Sequence, residues 1–284
     1  RNIPGNPTIV VKNMPGAGSA KAGHHIQTIA PKDGLSIGAV TPGAITGPLL
    51  DDKPQSIFDP MKVTYLGTAN AGPRICATYG STRTRTFDDA LTQKTRLGGV
   101  SPGDAVHDYA YLIKRTTNAQ IDVVAGYKGT LDLALAMERG EVDGACGWDW
   151  SSAKAQKPDW IRDGKLHILA QLGPKENAEL TRLGAPQIWK YMKDDTARKV
   201  HDMVVSQQAF TRPYFIATGT PAALVTTLRT AFDATMRDPQ YRADAEKTRI
   251  DISPLPGATV QELIGQLYAT PKAIVERARA AIRP

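Results

Sequence analysis

LGGVSPGDAVHDYAYLIKRTTNAQIDVV, residues 97–124, is the stretch on which the fold class turns. Residues 97–100 are a short apolar run, Ser101-Pro102-Gly103 interrupts it, residues 104–115 repeat apolar side chains at helical spacing, and residues 121–124 are again strand-like. The pattern predicts strand, turn, helix, strand. Moving toward the amino terminus, the same alternation predicts strands over 74–79, 63–68, 35–40 and 8–12, with helices over 87–92 and 20–30. Moving the other way it predicts helix 131–139, strand 144–148, strand 166–172, helices around 176–183 and 195–210, and strand 214–218. A helix over 221–236 starts on Pro221, tolerated in a first turn because that N–H has no internal partner; a strand-like 250–255 and two helices follow. Such alternation builds parallel or mixed sheets flanked by helices, an α/β fold.

Length and composition bound the rest. A chain of 284 residues is long for one core, so two lobes are the better expectation. No run of about 18 apolar residues is present to cross a bilayer. The formal charge of +7 comes from 35 basic and 28 acidic residues scattered along the chain. Without a basic stripe or a zinc-ligand array, this argues against a nucleic-acid partner and for a diffuse field that gathers small anions. Cys76 and Cys146 stand in no metal-type spacing, and their strand-like surroundings favour two buried thiols over a disulfide. The chain reaches its first predicted strand within a few residues of Arg1, with no signal-type pattern before it.

Pro-Gly pairs at 15–16, 42–43, 102–103 and 256–257 mark strand exits, and ligands on open α/β sheets bind beyond the carboxyl ends of strands. Three segments are chemical candidates. In Asn13-Met14-Pro15-Gly16-Ala17-Gly18-Ser19-Ala20, small residues lead into a helix whose free amides favour an anion, although a plain tight turn explains them equally. Lys21 and the lack of a suitably placed acid exclude a dinucleotide fingerprint. Gly99-Val100-Ser101-Pro102-Gly103 is a literal G-x-S-x-G between strand and helix, with Asp149 and His167 or His201 following in hydrolase order. Pro102 argues against that enzyme, since the oxyanion hole needs the N–H that proline lacks. An anion-holding turn is the preferred reading, with Ser101 capping the next helix. In the third segment, residues 142–150, Trp148 is either core or the wall of a pocket, and Asp149 either fixes a ligand hydroxyl or caps a helix. Arg74, opening a strand, is either a grip for a carboxylate through two parallel bonds or, as is commoner, an exposed arginine at a strand end. The five histidines share no metal-ligand spacing.

Taken in order, a set of segments resembles the Bug receptors of tripartite tricarboxylate transporters over nearly the whole chain. They are Ile3-Pro4-Gly5-Asn6-Pro7, Val11 through Gly18, Asp59-Pro60 before Tyr65-Leu66-Gly67, and Gly99 through His107. Tyr127-Lys128-Gly129, Gly140-Glu141-Val142-Asp143, Lys165-Leu166 and Ala217-Thr218-Gly219-Thr220-Pro221 complete the series. The resemblance implies a type 2 periplasmic-binding-protein fold, two α/β lobes around a ligand cleft, with residues 1–96 and 211–284 in one lobe and 97–210 in the other. It also implies a periplasmic solute receptor that binds a small carboxylate, needs no cofactor or metal, and is monomeric when complete. Its further partners would be the transporter's membrane subunits. Carried over, Gly16, Ala17, Gly18, Ser19, Thr41, Pro42, Ser101 and Gly103 hold the anion, while Trp148 and Asp149 shape the far end. The family ordinarily starts with a further strand and a Gly-rich loop, so the numbered chain reads as a fragment of such a receptor. Asp104 replaces the small polar residue usual there, and a carboxylate beside an anion would repel it unless turned away. Two alternatives stand: a serine esterase using Ser101, and a periplasmic sensory lobe.

Overall fold

A computed structural model describes residues 2–50, 57–80, 82–248 and 250–284. In chain order the strands are β1 (Gly38–Ala39), β2 (Val63–Thr68), β3 (Arg74–Tyr79), β4 (Thr95–Gly99), β5 (Ile121–Ala125), β6 (Gly144–Asp149), β7 (Leu166–Leu172), β8 (Pro213–Ala217) and β9 (Leu255–Pro256). The helices are α1 (Ala20–His24), α2 (Pro42–Leu50), α3 (Phe87–Thr92), α4 (Ala105–Thr116), α5 (Thr130–Glu138), α6 (Trp150–Gln156), α7 (Pro158–Arg162) and α8 (Ala178–Arg182). They continue as α9 (Asp195–Val205), α10 (Ala222–Arg237), α11 (Pro239–Lys247), α12 (Gly257–Tyr268) and α13 (Lys272–Ala281). No helix among the described residues is long and apolar enough to cross a membrane.

The chain divides into two compact units, Arg1–Ala71 with Gln207–Thr270, and Gly72–Ser206 with Pro271–Pro284. The division expected at 96/97 and 210/211 differs for two physical reasons. β3 is hydrogen-bonded between β6 and β7, which draws residues from 74 onward into the second unit. The last segment joins the same unit because α13 packs against α9 and α4, and the Arg115 guanidinium donates to the carbonyls of Arg283 and Pro284, the latter at 3.0 Å.

The first unit is built on an antiparallel sheet in the order β1-β8-β2-β9. Its core gathers Phe58, Tyr65 and Phe215, with Phe58 stacked on Phe215 at 5.5 Å and Tyr65 edge-on at 5.7 Å. The strand expected over 8–12 does not form, and Ile9, Val10 and Val11 are 65%, 70% and 84% exposed. Apolar, β-branched residues suit a pleated surface, but a strand also needs a ladder partner, and no strand of this sheet pairs with them. For the same reason only Gly38 and Ala39 of the expected 35–40 strand, and only Leu255 of the 250–255 run, enter the sheet.

In the second unit the sheet runs β5-β4-β6-β3-β7, with β5, β4 and β6 parallel and β3 antiparallel to both its neighbours. Cys76 and Cys146 are register partners across β3 and β6 and form a disulfide, correcting the expectation of two free thiols. Gly147 holds a left-handed φ of 89°, and a Cβ there would strike the Ala105 carbonyl oxygen, so β6 and the start of α4 approach as only glycine permits. The next residue, Trp148, turns to the other side of the strand and meets Trp160 of α7 edge-on at 6.1 Å.

Candidate functional site

One end of the five-stranded sheet collects four of the nominated residues. Gly99 and Asp149 end the parallel strands β4 and β6, and Arg74 begins β3 in register with Asp149 and with Leu172, the last residue of β7. Ser101 and Gly103 follow directly from β4. This is the strand-exit edge where open α/β sheets bind ligands.

The turn after β4 is fixed by its own carboxylates. The amide of Asp104 donates to the Ser101 carbonyl at 2.9 Å, and the Asp104 side chain accepts from the Val106 amide at 2.8 Å, capping α4. The cap is therefore Asp104 and not Ser101, because the chain closes a turn before the helix begins. That placement directs one oxygen of this carboxylate onto its own helix start. The Gly103 amide, nominated as an anion donor, donates instead to the Asp108 carboxylate at 3.0 Å, and the same oxygen lies 2.9 Å from His107 Nδ1. Asp108 is 8% exposed, and burial pushes its carboxyl above the usual value, with the His107 and Gly103 hydrogen bonds opposing. Asp108 was missed in the sequence, although its spacing four residues after Asp104 puts it on the same helix face.

Arg74 is half-buried. Its Nη1 donates to the Gly147 carbonyl at 2.9 Å and its guanidinium lies 5.7 Å from the centroid of the Tyr109 ring. Asp149 uses one carboxylate oxygen to cap α6 through the Ser152 amide, 2.8 Å away. Trp148 is 1% exposed within the cluster of Ile75, Val142 and Trp160, so it is core and not a pocket wall.

The hydrolase arrangement is not assembled in this unit. His167 sits at the opposite end of the sheet with Nε2 2.8 Å from the Gly80 carbonyl, and His201 is fully buried beside Asp202 at 3.1 Å. Among the described residues Ser101 makes no hydrogen bond to a histidine. A cavity of about 740 Å³ also lies at that opposite end, lined by Tyr79, Arg83, Lys94, Arg96 and Asp143 among others, and none of the nominated residues borders it.

In the first unit, Gly16, Ala17, Gly18 and Ser19 all take positive φ, at 135°, 48°, 56° and 73°. Ser19 Oγ accepts the Thr41 amide at 2.8 Å, while Thr41 Oγ1 donates to the Gly18 carbonyl at 3.0 Å. The two nominated turns, 16–19 and 41–42, are thus tied together, and Pro42 starts α2 beside them. Among the described residues no cluster of side chains is arranged to hold a metal ion.

No protein-family model matches the chain, and no curated protein matches it. Solved structures do. A TctC solute-binding protein from Polaromonas, without ligand, aligns with a TM-score of 0.70 at 16% identity, over 94% of this chain and 86% of that one. An R. palustris protein with adipate aligns at 0.66 and 19% identity over 95% and 86%, and the periplasmic binding protein BugD at 0.65 and 18% over 96% and 87%. The chain has the α/β fold of these periplasmic binding proteins.

Proposed function

We propose that the chain is an extracytoplasmic receptor of the tripartite tricarboxylate type, which captures a small carboxylate, delivers it to membrane subunits and performs no chemistry on it. The observation that carries this reading is the fold, shared over 94% of the chain with a TctC solute-binding protein and over 95% with a protein that holds adipate. The Cys76–Cys146 disulfide supports an oxidising compartment, where such bonds persist. The strand-exit edge carrying Arg74, Ser101 and Asp149 supports an anionic ligand, and Pro102 removes the amide that a serine hydrolase would need. Thermal-shift measurement with a panel of mono-, di- and tricarboxylates tests the reading. A carboxylate at 100 times its Kd should contribute about 2.7 kcal/mol, a rise of a few degrees. Recovery of that carboxylate unchanged supports a receptor. A flat panel, or ester turnover abolished by Ser101→Ala, overturns it.

A further inference from the structure

The guanidinium of Arg74 carries donors that the protein leaves unused. Nη1 is held by the Gly147 carbonyl at 2.9 Å, but Nε is buried without a hydrogen-bond partner, and Nη2 makes no hydrogen bond among the described residues. None of the ion pairs among those residues, formed within 4.0 Å, includes Arg74. Asp149, its partner in register, has one oxygen on the Ser152 amide. An arginine is charged at every physiological pH, and a half-buried charge without a counter-ion costs free energy that an incoming anion relieves. The other donor nominated beside it, the Gly103 amide, is already taken by Asp108.

We infer that Arg74 is the residue that pairs with a carboxylate of the ligand, and that it makes the receptor select an ionised group at that point over the matching amide. The inference rests on the carboxylate-receptor reading and adds the residue and the selection rule. Held by Gly147 and lying over Tyr109, the guanidinium is oriented before the ligand arrives, with Nη2 left to donate to a carboxylate in a charge-assisted bond.

Calorimetry on wild type, Arg74→Gln and Arg74→Lys tests it, using linear dicarboxylates from succinate to adipate and then the half-amide of whichever binds tightest. Wild type should favour the diacid over its half-amide by about tenfold or more, as expected for a charge-assisted bond. Arg74→Gln should lose about that factor for the diacid and bring the ratio close to one, while Arg74→Lys, which keeps the charge without the fork, should fall between them. A merely structural arginine would weaken diacid and half-amide alike and leave the ratio unchanged, which would overturn the inference. If wild type binds none of the dicarboxylates but binds another carboxylate of the thermal-shift panel, the receptor reading survives and this selection rule fails. If it binds no carboxylate at all, both fall.

Discussion

Asp108 accepts the Gly103 amide and faces His107 Nδ1, so the turn bearing Ser101 is positioned by a buried carboxylate. An ionised carboxylate only accepts, which places the shared proton on His107 Nδ1. Burial raises the Asp108 carboxyl above its ordinary 3.8, so the folded chain favours the protonated form more than the unfolded chain does. The corresponding stabilisation is complete below 3.8 and is lost as pH rises through the raised value. Wild type should therefore gain on Asp108→Asn in urea midpoint as pH falls from neutrality into that window; a difference that stays constant with pH would refute it. At Ser101 the expected effect is smaller. Removing one neutral hydroxyl by Ser101→Ala should weaken carboxylate binding by about 0.5 to 1.5 kcal/mol in calorimetry, with no turnover before or after.

At the level of elements, the contact between β6 and α4 depends on Gly147. Gly147→Ala combines a left-handed φ with a clash against the Ala105 carbonyl, so it should cost about 1 to 3 kcal/mol in urea unfolding and displace the start of α4. Carboxylate affinity should fall with it, because the 101–104 turn leads into that helix. The disulfide joins β3 to β6 across 70 residues of chain, and closing a loop of that size contributes about 4 kcal/mol in the chain-entropy account. The pair Cys76→Ala with Cys146→Ala should lower unfolding free energy by a similar amount, and an unchanged denaturation curve would argue that the thiols are not joined. Most elements of the five-stranded sheet were legible in the sequence because each strand is a compact apolar run bounded by turn residues. Residues 8–12 were misread because a run of apolar, β-branched residues reports a surface fit for a sheet and not the presence of a neighbour. α2 went unread because Pro42, Gly43 and Pro48 look like breakers, although the first stands at the helix start. The unit boundary was misplaced because the pairing of β3 with β6 is non-local. The strand-exit rule nominated Ser101 and Gly103, and Arg74 and Asp149, nominated on other grounds, lie at the same edge, but the use of the Gly103 amide depends on where the Asp108 side chain turns, which spacing does not encode.

Across the whole molecule the +7 charge is spread over the chain, so beyond any pairing at Arg74 it should act on an anionic ligand as a field. Carboxylate association should slow as ionic strength rises from 0.01 to 0.15 M, over which the screening length shrinks from about 30 to about 8 Å. Dissociation should change little, and stopped-flow kinetics separates the two; a salt-independent association rate would remove the field from the account. The chain enters the second unit at Gly72, leaves it after Ser206 and returns at Pro271. The returning segment is not decoration, since Val275, Ala278 and Ala281 of α13 are buried in the helix that packs on α9 and α4. Neither unit is therefore a continuous stretch of polypeptide, and the second gains its last segment, residues 271–284, only after all of residues 207–270 have been made. The second unit therefore cannot close before the first unit's final segment exists, so the order of completion is written into the path of the chain.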